Sequence, residues 1–129
     1  MKKFFVVLLL GLLLAGCAAA PAADASYRQI SMSQAQQLME SEDDYIILDV
    51  RTQAEFAEKH IPGAINIPNE TIGEEAIPQL PDKGQLVLVY CRSGNRSKQA
   101  SEKLVQLGYT NVVEFGGIND WPGETVSGE

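Results

Sequence analysis

The chain has 129 residues, enough for one small α/β domain and too few for two. Its formal charge of −7, from 10 basic and 17 acidic residues, argues against nucleic acid as the main partner, because phosphate binding requires an excess of positive charge. Two cysteines and one histidine exclude a framework of several disulfides and argue against a zinc site. We expect no metal and no cofactor.

The N-terminus has the layout of a secretory signal. Two lysines precede the uncharged apolar segment 4–14, which is too short to span a bilayer comfortably as a helix. The segment ends in Leu14-Ala15-Gly16-Cys17, which resembles the lipobox of bacterial lipoproteins. That resemblance implies cleavage before Cys17 and lipidation of its thiol, followed by acylation of the new amino terminus. An ordinary signal peptide that carries a cysteine and a retained membrane helix are the alternatives.

These features predict three regions: a signal peptide over 1–16, a lipidated cysteine with an Ala/Pro-rich tether over 17–27, and a globular domain over 28–127. Cleavage would remove two lysines and leave a mature charge of −9, from 8 basic and 17 acidic residues. Several acyl chains make membrane attachment stable, whereas one chain gives only marginal binding. We therefore expect an exported, membrane-anchored lipoprotein that faces the periplasm or the cell exterior.

The globular part alternates helical and strand patterns. Helices are predicted after the capping box at Ser31, over 52–59, weakly over about 70–80, and over 95–107. Strands are predicted over 45–50, before Pro68, over 85–90 and over 112–115. This alternation predicts a mostly parallel sheet flanked by helices.

The segment 91–97, Cys-Arg-Ser-Gly-Asn-Arg-Ser, joins the clearest strand to a helix. Sites in parallel α/β sheets form at the carboxyl ends of strands, and a helix N-terminus offers unpaired N–H groups and partial positive charge. We therefore expect Cys91 to exist largely as thiolate. Gly94 permits a tight curve, and Arg92 and Arg96 add two cations, so the segment predicts a site for a small anion. The alternative is an inert cysteine buried in the core.

Four separated segments make residues 28–122 resemble a single-domain rhodanese, a sulfurtransferase. They are Asp49-Val50-Arg51 with Glu55-Phe56, the segment 60–68, the loop 91–97, and Gly116-Gly117 with Trp121. Their order and spacing make the resemblance specific, although each segment alone is a weak signal. Lys59 departs from the pattern, since a glycine commonly precedes the histidine.

The resemblance implies a five-stranded, mostly parallel sheet with helices on both faces. It also implies that Cys91 attacks the outer sulfur of thiosulfate or a similar anionic donor, carries a persulfide, and passes the sulfur to a thiol or to cyanide. The loop N–H groups would stabilise the anionic sulfur. The implied substrate-binding residues are Arg92, Ser93, Gly94, Asn95, Arg96 and Ser97.

Two other functions remain open. Rhodanese-like phosphatases have a loop one residue longer, with arginine at the sixth position after the cysteine, where this chain has Ser97. Phosphatase or arsenate reductase activity is therefore disfavoured. The domain could instead carry or sense persulfide, or dock a partner, without turnover.

The remaining polar residues have simpler interpretations. Asp49 and Arg51 leave a strand end beside the expected site and are candidates for the pocket rim, and Arg51 is expected to pair with Glu55 or another acid. We expect His60 to make a structural hydrogen bond and Trp121 to cover the core. If Cys17 is lipidated, Cys91 lacks an internal disulfide partner, so a thiol acceptor such as an envelope dithiol protein is expected. We expect a monomer.

Overall fold

The computed structural model describes residues 26–128. The predicted signal peptide, Cys17 and almost all of the tether lie outside the described residues. Within the described part of the chain, no helix is both long enough and apolar enough to cross a membrane.

A single sheet of parallel strands organises the described residues. Its strands are β1 (Arg28–Gln29), β2 (Ile46–Asp49), β3 (Ile65–Asn66), β4 (Val87–Cys91) and β5 (Val112–Gly117). They lie side by side in the order β1-β5-β4-β2-β3, and every pair is parallel. The predicted five-stranded parallel α/β fold is confirmed.

The helices begin where the sequence signals place them. Helix α1 (Met32–Ser41) and helix α2 (Gln53–Glu58) each start with a complete capping box, formed by Ser31 with Gln34 and by Thr52 with Glu55. In each box the hydroxyl accepts an N–H bond from the third helical residue, whose side chain accepts the N–H of the cap. Helix α3 (Asn95–Gln106) has Gly94 as its N-cap instead, so it has no side-chain cap.

The sheet is buried on both faces, which explains its continuous apolar strands. On one face Leu48, Val89 and Leu104 of α3 belong to a first core cluster. On the other, Ile47 and Phe56 of α2 belong to a second cluster, which also contains Ala35 of α1. Every residue of β4 is buried, so the strand that ends in Cys91 is the most enclosed element of the sheet.

The predicted helix over about 70–80 is wrong. That stretch contains only a short 3₁₀ turn, Asn69–Thr71, followed by irregular chain. Pro78 has no N–H to donate, and Gly73 favours flexible backbone over helix. Ile77 and Leu80 are buried all the same, so the segment covers the first core cluster as a loop.

Strand β1 was not predicted. With two residues it is too short for an alternating pattern, and it exists because Arg28 and Gln29 pair with Val113 and Glu114 of β5.

Candidate active site

Cys91 is the last residue of β4 and lies at the carboxyl end of the sheet, with three residues between it and the start of α3. Its Sγ accepts the N–H of Gly94 at 3.0 Å and lies 3.4 Å from Ser97 Oγ. The side chain is almost completely buried, at 1% exposure. A sulfur that faces a loop N–H and the positive end of a helix can carry negative charge, which a nucleophile requires.

Two glycines give the loop its shape. Gly94 has a φ of +113°, a left-handed conformation that favours glycine, and it begins α3. At Gly117 a Cβ atom would lie 2.0 Å from the carbonyl oxygen of Arg92 and 2.5 Å from the nitrogen of Ser93. The end of β5 therefore lies directly against the backbone of the loop, and only glycine allows this approach. The resemblance includes this glycine, and the contact with the loop backbone is the physical reason for it.

The two loop arginines have different surroundings. Arg96 donates to both carboxylate oxygens of Glu55, at 2.8 and 3.1 Å. These bonds lower the pKa of Glu55 to about 2 and raise the pKa of Arg96. Arg92 is exposed, and it takes part in neither of the ion pairs found among residues 26–128. The donor-binding roles of Arg92 and Arg96 both stay predictions.

The other loop side chains divide between surface and interior. Ser93 and Asn95 are exposed, whereas Ser97 is fully buried. Ser97 Oγ contacts Gly94 O at 3.0 Å and Glu114 Oε2 at 2.5 Å. The binding roles of Ser93, Asn95 and Ser97 toward a substrate stay predictions.

Asp49 and Arg51 form a buried ion pair, with Arg51 Nη2 2.7 Å from Asp49 Oδ2. The Tyr90 hydroxyl also donates to Asp49 Oδ2 at 2.7 Å and accepts the N–H of Ile61. Burial raises the pKa of Tyr90. Arg51 Nη2 further donates to the carbonyl of Lys59. These contacts join the ends of β2 and β4 to the loop before β3. The pocket-rim role stays a prediction, and the contacts are those of a supporting scaffold.

His60 and Trp121 contact the protein framework. His60 is buried, its Nδ1 lies 2.8 Å from the carbonyl of Phe56, and its ring stacks on that phenyl ring with centroids 3.7 Å apart. Trp121 is half-buried and packs 6.1 Å from Phe115 against the second core cluster. Both placements agree with structural roles.

Sequence reasoning missed Glu114, a buried carboxyl group behind Ser97. Its signal was available: it occupies an inward position of the apolar strand Val112–Phe115. Across residues 26–128, no group of three or more His, Cys, Asp or Glu side chains is arranged as metal ligands.

The fold and the loop together define a class: a parallel α/β protein with a cysteine at the carboxyl end of a central strand and at the start of a helix. Residues 31–124 match the family model of the rhodanese-like domain. The chain belongs to the rhodanese-like family.

Named relatives share this domain. The chain is 42% identical over 73 residues to thiosulfate sulfurtransferase PspE of Escherichia coli (strain K12), covering 57% of this chain and 70% of the relative. It is 34% identical over 96 residues to thiosulfate sulfurtransferase GlpE of Coxiella burnetii (strain RSA 331 / Henzerling II), covering 74% and 87%. A solved structure described as a rhodanese with anions from E. coli superposes with a TM-score of 0.60 at 39% identity, covering 65% of this chain and 99% of that one. The prediction of a rhodanese-type sulfurtransferase is confirmed at the level of enzyme class.

Proposed function

We propose that this protein moves a sulfane sulfur from an anionic donor of the thiosulfate type to a thiol or cyanide acceptor, through a persulfide on Cys91. The observation that carries the proposal is the position of Cys91 Sγ, 3.0 Å from the N–H of Gly94 at the start of α3. The names of two relatives, both thiosulfate sulfurtransferases, support the choice of donor.

The chemistry takes place in two displacements. The Cys91 thiolate attacks the outer sulfur of the donor, a new S–S bond forms, and the donor's own S–S bond breaks so that sulfite leaves with its electron pair. The acceptor then attacks the outer sulfur of the persulfide, and Cys91 leaves as a thiolate. The N–H of Gly94 and the helix dipole stabilise the anionic sulfur in both steps.

The charges around the loop favour an anionic donor. Arg92 is an exposed cation beside Cys91 on a chain that is acidic overall. Guanidinium groups suit oxyanions because their N–H donors match the spacing of the oxygens. Arg96 is bound to Glu55, so we assign the first contact with the donor to Arg92.

A thiol acceptor would come from outside the described domain. Cys91 is the only cysteine among residues 26–128, and it is free. Its persulfide therefore has no neighbouring thiol within those residues to receive the sulfur. A dithiol protein fits this requirement chemically: its first thiol takes the sulfur as a persulfide, and its second thiol then attacks the inner sulfur of that persulfide, so that a disulfide forms and the outer sulfur leaves as hydrosulfide.

The test is thiocyanate formation from thiosulfate and cyanide by the full chain and by Cys91→Ser. We expect turnover by the wild type, loss of turnover in the variant, and a mass increase of one sulfur atom on Cys91 after exposure to thiosulfate alone. Equal rates in the two proteins would remove Cys91 from the mechanism. Persulfide formation without turnover would indicate that the protein is a sulfur carrier and not an enzyme. Hydrolysis of an aryl phosphate by the same preparation would favour a phosphatase.

We further propose that the protein is exported and anchored by lipid on Cys17, on the strength of Lys2-Lys3, the apolar segment 4–14 and the box that ends at Cys17. Cys17→Ser should release the protein from the membrane fraction of the producing cell or block its processing, in which case the uncleaved segment 4–14 stays on the chain. The matched control is Cys91→Ser, which removes the other cysteine and should leave fractionation unchanged. Membrane partition and processing of Cys17→Ser that equal the wild type would disprove the anchor.

A further inference from the structure

Glu114 is a buried acid in a layer that is otherwise apolar. It lies on β5 two residues after Val112, on the face of the sheet that α3 covers, and its exposure is 2%. A buried carboxylate loses the solvation of water, so it needs strong partners or a proton. The partners that Glu114 has are therefore informative.

The contacts of Glu114 lead to the reactive sulfur. Its Oε2 accepts the hydroxyl of Ser97 at 2.5 Å and the N–H of Gly116 at 3.0 Å. Its Oε1 accepts the side-chain amide of Gln29 at 3.3 Å. Ser97 Oγ in turn lies 3.4 Å from Cys91 Sγ. A continuous path of hydrogen bonds therefore joins the buried carboxyl group to the sulfur.

No cation neutralises Glu114 within the described domain. The ion pairs of residues 26–128 join Arg51 to Asp49 and Arg96 to Glu55, and neither includes Glu114. A buried carboxyl group that has hydrogen bonds but no cation is suited to hold a proton for part of a reaction cycle.

We propose that Glu114 takes up, through Ser97, the proton that Cys91 loses when it becomes a thiolate. The S–H proton of Cys91 moves to Ser97 Oγ, and the hydroxyl proton of Ser97 moves to Glu114 Oε2. The products are a thiolate, an intact serine hydroxyl and a neutral carboxylic acid. The reverse transfer restores the thiol. This proposal rests on the nucleophilic role of Cys91 in the proposed function, and it makes Glu114 a positioning residue that acts through Ser97.

The surrounding charges are compatible with this exchange. The transfer moves one negative charge from Glu114 to Cys91 and leaves the total charge of the site unchanged. At the sulfur the charge meets the N–H of Gly94 and the field of Arg96, whose pKa is raised first by Glu55 and also by Cys91. On the other side of Glu114, the pKa of Tyr27 is raised by burial first and then by Glu102 and Glu114.

The test is the rate at which iodoacetamide alkylates Cys91, measured against pH in the wild type and in Glu114→Gln. Two groups that share a proton titrate in two macroscopic steps. We therefore expect the wild-type rate to rise twice, with a plateau between the rises where thiolate coexists with neutral Glu114. The variant should show a single rise, changing about tenfold per pH unit over the range of the wild-type plateau. A single rise in the wild type, or two rises in the variant, overturns the proposal.

Variants of the bridging serine provide the second arm. Ser97→Ala removes the bridge and should also give a single rise, whereas Ser97→Thr keeps a hydroxyl and should restore two. The matched control is Ser101→Ala, since Ser101 lies one turn further along α3 and its hydroxyl is buried without a partner. Two rises in Ser97→Ala would overturn the relay even if Glu114→Gln failed to fold. Alkylation requires no sulfur donor, so this result is independent of whether the protein transfers sulfur.

Discussion

Glu55 shows how one carboxylate connects the start of a helix to the loop 91–97, the candidate active-site loop. Its Oε1 accepts the N–H of Thr52 at 3.1 Å and so completes the capping box of α2. The same carboxylate receives two bonds from Arg96, at the start of α3. Because the two arginine bonds cross 41 positions of sequence, Glu55 holds the α2 helix and the loop together.

Glu55→Gln should destabilise the protein by about 1 kcal/mol near neutral pH, because a charge-assisted pair becomes a neutral one. The folded-state pKa is depressed from 4.5 to about 2, so the contribution is complete above the unfolded-state pKa and disappears as the pH falls from 4.5 through 2. Denaturant unfolding from pH 7 down to pH 2 measures it, and the difference from wild type should close over that range. Glu58→Gln, an exposed change on the same helix, is the control. A difference that stays constant with pH would contradict the assignment.

At the scale of elements, the active-site loop depends on the strand beside it. The carbonyl of Arg92 accepts the N–H of Asn119 at 3.2 Å, and Cys91 pairs with Gly117 after an irregularity in the β4–β5 ladder. The end of β5 therefore forms one wall of the loop. The direction in which Gly94 presents its N–H to the sulfur depends on that wall.

Gly117→Ala should displace the loop, because the new Cβ would overlap the backbone of Arg92 and Ser93. We expect a loss of stability of about 2 kcal/mol, typical of overpacking, and a larger proportional loss of sulfur transfer, since the loop contains Cys91, the proposed nucleophile. Thermal unfolding and thiocyanate formation measure the two effects. Gly73→Ala is the control, because a Cβ there would meet no atom within 4 Å. Full activity in Gly117→Ala would show that the loop tolerates the shift.

At the scale of the whole molecule, the packing of α3 against the sheet holds the site in position. Leu104 is fully buried on the helix that begins at the active-site loop, and it belongs to the first core cluster with Leu48 and Val89. A domain of this size has a total stability of only ~5–15 kcal/mol. Loss of one large core side chain therefore changes the stability of the entire domain.

Leu104→Ala should lower the free energy of unfolding by about 2–5 kcal/mol, since it leaves a cavity between α3 and the sheet. The fraction of the variant that remains folded should still be alkylated at Cys91, because Leu104 takes no part in the hydrogen bonds of the loop. Leu107→Ala, at a half-buried position on the edge of the same cluster, should cost less. Chemical denaturation compares the two. An equal loss in both variants would contradict the position of Leu104 in the core.

The sequence by itself determined the features that depend on near neighbours. The capping boxes at Ser31 and Thr52, the apolar strands and the link from Cys91 to a helix are set by residues a few positions apart, so patterns reveal them. The same patterns were enough for the fold class. The helix predicted over about 70–80 was wrong because Gly73 and Pro78 disfavour helix, and the segment covers the first core cluster as a loop.

Only the tertiary structure decided which distant groups meet at the site. Arg96 contacts Glu55, Ser97 contacts Glu114, and Gly117 lies against Arg92, across separations that no local pattern encodes. Strand β1 likewise forms only because β5 is beside it. Hydrogen bonds and steric contacts act over a few ångströms of space, whatever the separation along the chain. The cysteine loop was therefore visible in the sequence, whereas its contacts with Glu55, Glu114 and Gly117 appeared only in the folded chain.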